Sequence, residues 1–172
     1  MRRMLLLILL VCSGCSKESA HDNDTTAKPE TVSVDHVLPA FDGKLFGIDR
    51  GEWGGNLIFE DAAGSRQVVL DENVHGIIEN PAGIFAFTGL AHLGINEGYI
   101  YVITREPNEK IYATMLGKLP GAPSQVIQMD RDHTTFLVYE GFRDDAPYFE
   151  CYALIGRVVS TSNECSPPKR LR

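Results

Sequence analysis

Tryptophan is nearly absent from this chain of 172 residues, with a single copy at position 53, and apolar runs long enough to cross a bilayer are absent altogether. The longest run, Met4 to Cys12, holds nine apolar residues, whereas a membrane-spanning helix needs about 20. Basic residues are scarce. There are 16 Lys and Arg against 23 Asp and Glu, a formal charge of −7, and the only basic cluster is Lys169, Arg170 and Arg172 at the C-terminus. A nucleic-acid surface needs clustered cations, so no nucleic-acid partner is expected. The five histidines stand at 21, 36, 75, 92 and 133, with no HxH, HxxxH or HExxH spacing, and no metal site is expected from them. Neither Asp130-Arg131-Asp132 nor Asp144-Asp145 continues into a calcium loop. A G-x-S-x-G elbow and a Walker A loop are also missing. No cofactor follows from the sequence and no catalytic residue is assigned. Glu52 and Glu97 remain nominal partners for a hydrolase, because paired carboxylates leave no signature in sequence.

What is present begins with an export signal. Arg2 and Arg3 precede the apolar run, and small residues Ser13 and Gly14 lead into Cys15, which is how a secretory signal peptide is built. The string Val11-Cys12-Ser13-Gly14-Cys15 resembles a bacterial lipobox, with Cys12 where that pattern usually has leucine. The resemblance implies removal of residues 1–14 and lipidation of Cys15, so that a lipid anchor holds the chain to a membrane. Serine at position 16, in place of the aspartate that marks inner-membrane retention in such lipoproteins, points to the periplasmic side of the outer membrane. Cleavage removes two arginines, and 14 basic against 23 acidic residues leave a mature charge of −9. With Cys12 lost and Cys15 lipidated, Cys151 and Cys165 remain as one pair in an oxidising compartment, where a disulfide is the expectation. Residues 15–34 are polar and too poor in apolar groups to offset their ordering entropy; they read as a tether. Residues 166–172, after Pro167-Pro168, read as a tail.

Between these lies one domain, 35–165, whose short runs of Val, Ile, Phe and Tyr alternate with polar residues and show no helical period. Period-two patterning predicts an all-β fold. Strands are expected at 44–48, 56–60, 66–70, 74–78, 84–88, 99–104, 111–116, 125–130, 134–139, 148–154 and 157–161, separated by Gly, Pro, Asn and Asp turns. They group into antiparallel four-stranded repeats: one from Val74, one from Gln125 some 51 residues on, and a shorter first unit over 35–70. That is the scale of a β-propeller blade. Three units fall short of the usual 4 to 8, which leaves open partial propeller-like blades, a β-sandwich of the same hairpins, or half of a dimeric ring.

Two motifs stand out, Gly51-Glu52-Trp53-Gly54-Gly55 and Gly89-Leu90-Ala91-His92-Leu93-Gly94. Together with the Tyr-rich strand and Leu-Pro-Gly turn that follow, they make residues 43–140 resemble a set of uncharacterised bacterial propeller-like proteins. The resemblance implies a fold and carries no activity. Counting strands places Asp49 to Gly55, Gly89 to Gly98 and Gly141 to Pro147 in equivalent second-to-third-strand loops. These emerge on one side and gather Asp49, Arg50, Glu52, Trp53, His92, Asn96, Glu97, Arg143, Asp144 and Asp145. An aromatic plate with mixed charges suits a protein, peptide or glycan ligand; the alternative role for Trp53 is a wedge in the core. The function expected is a binding module of the cell envelope. An envelope hydrolase and a structural lipoprotein without a specific ligand are the other readings.

Overall fold

The computed structural model describes residues 36–165. The signal at 1–14, the lipidation site Cys15, the tether 15–34 and the tail 166–172 lie outside the described residues. The fold is all-β. Twelve strands form three antiparallel four-stranded sheets, each a meander in chain order. Sheet I holds β1 (His36–Ala40), β2 (Gly43–Ile48), β3 (Asn56–Glu60) and β4 (Arg66–Leu70). Sheet II holds β5 (Val74–Asn80), β6 (Gly83–His92), β7 (Ile95–Arg105) and β8 (Ile111–Leu119). Sheet III holds β9 (Pro123–Gln128), β10 (His133–Arg143), β11 (Ala146–Ile155) and β12 (Val158–Thr161). The second and third repeats begin at Val74 and Pro123, 49 residues apart, two fewer than the pattern indicated. The first repeat has its full four strands, because His36 to Ala40 pairs with Gly43 to Gly47. The run HVLPA is too short and too interrupted by Pro39 to stand out in sequence.

Sheet II is the middle layer, and the alternation of β6 explains why. Ile84 and Ala86 pack with Leu45, Leu57 and Phe59 of sheet I. Their neighbours Phe85 and Phe87 pack with Phe136, Val138 and Leu154 of sheet III. Strand β7 does the same, sending Tyr101 and Ile103 one way and Ile100 and Val102 the other. Successive side chains of a strand point to opposite faces, so a strand buried on both must be apolar throughout, as Ile84 to Phe87 is. Phe85, Phe87 and Phe136 are fully buried, each worth about 1.5–3 kcal/mol of transfer free energy. The Phe87 and Phe136 rings lie 4.9 Å apart.

Side-chain amides tie the sheets where backbone ladders do not reach. Gln67 of sheet I donates Nε2 to the carbonyl of Ile111 at 2.5 Å and accepts the amide of Ile111 at 3.1 Å. Asn80 donates to the Gly156 carbonyl at 2.9 Å, and Arg157 reaches the Ala82 carbonyl from two nitrogens. The connections between sheets repeat one another as well. The Gly89 amide donates to the Asn73 carbonyl at 3.1 Å, and 50 residues on the Tyr139 amide donates to the Ala122 carbonyl at 3.0 Å.

After β12 the chain folds back over β11. The Ser162 amide donates to the Cys151 carbonyl at 2.9 Å, and a disulfide joins Cys151 to Cys165 with their Cα atoms 5.7 Å apart. His133 Nε2 lies 2.9 Å from the Glu164 carboxylate, though without the alignment of a hydrogen bond. The bridge closes a loop of about 15 residues, worth roughly 3 kcal/mol in the chain-entropy account. Reduction with the fold otherwise intact is expected to lower unfolding free energy by about that amount in urea titrations. Equal midpoints with and without reductant would show that the bridge contributes nothing.

Candidate functional site

Antiparallel meanders reverse direction at every strand, so turns alternate between two ends of the stack. One end collects the β2–β3 loop, the β6–β7 and β10–β11 hairpins, and the two connections between sheets. The candidate residues read from the sequence fall at this end, and one side-chain contact joins the first two tips. His92 Nε2 lies 2.8 Å from Glu52 Oε2. Two of the three segments are nevertheless not loops. Gly89 to His92 and Ile95 to Gly98 are paired strand, with Leu93 and Gly94 as the turn. Likewise Gly141 to Arg143 pairs with Ala146 to Tyr148, leaving Asp144 and Asp145. Glycine and polar residues made these stretches read as loops, but cross-strand pairing across long hairpins overrides local propensity.

The β2–β3 loop is built by its glycines. A single 3₁₀ turn spans Gly51–Trp53, and Gly51 and Gly54 take φ of 57° and 75°, a region glycine enters without steric cost. Gly55 is there for space: a β-carbon on it would sit 2.1 Å from the Ile48 carbonyl oxygen. Arg50 folds over the loop, its Nε donating to the Gly54 carbonyl at 3.2 Å and its guanidinium reaching Asn56 at 3.4 Å. Trp53 is left 79% exposed. It is therefore no wedge in the core.

Asp49 and Asn96 turn inward. Asp49 sits 3.2 Å from His75 Nδ1, and the other ring nitrogen of His75 lies 2.9 Å from the Gly89 carbonyl. Asn96 donates to the Tyr139 carbonyl at 2.9 Å and accepts the Ala122 amide at 3.1 Å. It is a clasp between sheets II and III. Asn73, which the sequence reading missed, plays the matching part between sheets I and II, accepting the Arg50 amide at 3.1 Å and donating to the Gly51 carbonyl at 2.7 Å. Gly121 makes the second junction tight, since a β-carbon there would fall 1.9 Å from the Tyr139 carbonyl oxygen.

Arg143 lies at the third tip with its guanidinium 3.5 Å from the centre of the Tyr148 ring. A bulge between Tyr139 and Gly141 shifts the register of this hairpin, and Phe142 beside it is 72% exposed. Leu93, at the tip of the second hairpin, is 95% exposed with φ of 51°.

Three clefts run along this end. One of about 450 Å³ is lined by Gly54, Asp71, Glu72, Glu97, Tyr99 and Tyr101, among others. A second, about 510 Å³, includes Asp49, His75, Leu90, Tyr139 and Phe149. A third, about 330 Å³, runs from His92 and Leu93 to Gly141 and Phe142. The first two share Asn73, Gly89 and Leu90 among their lining residues, and the last two share Ala91 and Tyr139.

In the first cleft Glu72 accepts from Thr88 Oγ1 at 2.5 Å and from Tyr101 at 2.8 Å, and Glu97 accepts from Tyr99 at 3.0 Å. Burial, then the bond to Glu72, pushes the Tyr101 phenol well above its ordinary range, and the bond to Glu97 raises that of Tyr99. Both tyrosines are thus held as neutral donors to carboxylates. Tyr99 and Tyr101 share one face by period two and were legible as a pair; Glu72 sits in a turn and gave no signal. Among the described residues no three His, Cys, Asp or Glu side chains converge as a metal site would require.

Comparison of the chain with protein-family models, curated proteins and solved structures finds no match. The candidate residues separate by role, and a stability measurement should show it. Trp53→Ala is expected to change unfolding free energy by less than about 0.5 kcal/mol. Asn96→Ala, which orphans a backbone amide and a carbonyl at the sheet II–III junction, should cost about 1–3 kcal/mol. Equal losses in both variants would contradict the assignment.

Proposed function

We propose that this chain is a non-catalytic binding module of the cell envelope, lipid-anchored through Cys15, which meets a protein, peptide or glycan with the end bearing the β2–β3, β6–β7 and β10–β11 tips. One observation carries the reading. The tips of all three equivalent hairpins present a large apolar side chain to solvent, Trp53, Leu93 and Phe142, at 79, 95 and 72% exposure. Single exposed apolar residues are ordinary on protein surfaces, whereas a contiguous set marks interaction sites. The three are linked through shared surroundings: Glu52, next to Trp53, touches His92, and His92, Leu93 and Phe142 line one cleft.

Leu93 adds a local argument. Hairpin turns that need positive φ favour Asn, Asp or Gly, and a leucine in the left-handed region costs about 1–2 kcal/mol. Here it does so without burying anything. A residue unfavourable both to the backbone and to solvent is readily understood as serving a partner. Aromatic anchors surrounded by polar groups are the usual centre of binding energy at an interface.

Two experiments test the reading. Labelled palmitate should enter the wild-type chain but not Cys15→Ser, and label in the variant would remove the anchor from the proposal. Peptide and glycan arrays probed with the wild type and with Trp53→Ala/Phe142→Ala should return ligands whose apparent affinity falls at least tenfold in the double variant, at unchanged melting temperature. Ligands bound equally by both would place the site elsewhere.

A further inference from the structure

The charges around the three tips select among the possible partners. The first cleft is lined by Asp71, Glu72 and Glu97 and by no lysine, arginine or histidine. Each of these carboxylates is held by neutral donors alone: Asp71 by the Asn56 amide at 2.7 Å, Glu72 by Thr88 and Tyr101, and Glu97 by Tyr99. Hydrogen bonds from neutral groups fix an anion in place and leave its charge uncompensated. Among the described residues no cation of this end pairs with these carboxylates: at the margin of the cleft Arg50 binds the Gly54 carbonyl and Asn56 and Lys118 lies 5.7 Å over the Tyr99 ring, while at the third tip Arg143 is stacked on Tyr148. Asp144 and Asp145 add two more negative charges at the third tip, beside exposed Phe142.

Building on the binding-module reading, we infer that the partner is a polypeptide segment that is both basic and apolar: its aromatic or aliphatic side chains meet Trp53, Leu93 and Phe142, while a lysine or arginine enters the cleft of Glu72 and Glu97. A cleft with fixed carboxylates and the edges and faces of two tyrosines suits an ammonium or guanidinium group by charge and by cation–π attraction. An uncharged glycan would use the aromatic tips and leave the carboxylates without a counter-charge. An anionic lipid surface would be repelled by them.

The test uses the full-length chain in non-ionic detergent and fluorescence anisotropy with two labelled dodecapeptides. One spaces lysine and phenylalanine with serine and glycine; the other has glutamate at every lysine. A hexasaccharide of N-acetylglucosamine is the third probe. The lysine peptide should bind at least tenfold more tightly than the glutamate peptide. Trp53→Ala/Phe142→Ala should weaken it at least tenfold, and Glu97→Gln should lower the lysine-over-glutamate preference at least threefold. Glu106→Gln/Glu109→Gln, at the opposite end of the stack, should leave that preference unchanged. Melting curves establish that each variant is folded, and Glu97 is chosen because it holds one hydroxyl, that of Tyr99, where Glu72 holds two, those of Thr88 and Tyr101.

Equal binding of the two peptides overturns the inference. So does an equal loss in the opposite-end variant, which would reduce the effect to net charge. Hexasaccharide binding that depends on the tips, without peptide binding, overturns the inference and leaves the binding module standing. Binding by none of the three probes, or binding indifferent to the tip variant, removes both.

Discussion

Everything in this molecule depends on the double burial of sheet II. A sheet covered on both faces has no solvent side on which to place polar residues, so its strands must be apolar at every central position, and its neighbours must each offer one apolar face. Ile84 to Phe87 and Ile100 to Ile103 meet the first demand. Sheets I and III meet the second with Leu45, Leu57 and Phe59 on one side and Phe136, Val138 and Leu154 on the other. The two cores are separated by one layer of backbone. Disturbing β6 therefore disturbs both.

That arrangement leaves the ends of the stack as the places where polar chemistry collects. At one end Gln67, Asn80 and Arg157 close the junctions with bonds to backbone. At the other, Asn73 and Asn96 do so, and the same end carries the exposed tips and the acidic cleft. Rigid junctions beneath exposed tips are what a binding surface needs, because side chains held by a fixed backbone lose less entropy when a partner arrives. The glycines at 55 and 121 belong to the same device. Each removes a side chain where two backbones approach, and so sets the spacing of the sheets under the tips.

The acidic cleft illustrates how burial and hydrogen bonding divide labour. Tyr101 is nearly buried and cannot ionise beside Glu72 without placing two negative charges together, so its phenol stays protonated and serves as a donor. Thr88 is fully buried and satisfied only by the same carboxylate. Glu72 thereby holds the connection between sheets I and II against the face of sheet II while its charge still meets the cleft.

Period-two alternation, the Gly, Pro and Asp turns, and the two cysteines of the folded domain were all in the sequence, and they determined the all-β class, eleven of the twelve described strands, the repeat and the disulfide. They did so because a strand's facing and a turn's backbone are local properties, read from a few consecutive residues. What only the tertiary structure decided is which residues face one another across distance. Asn96 looked like a loop residue and is a clasp, because its partners Ala122 and Tyr139 are far away in the chain. Trp53 was equally consistent with a core wedge until the tertiary fold left it exposed on the β2–β3 loop. Phe142 and Leu93 drew no notice because exposure is decided by neighbours, and Glu72, Glu97 and the tyrosines form one cleft only because β5 to β8 fold into a single sheet beside the first.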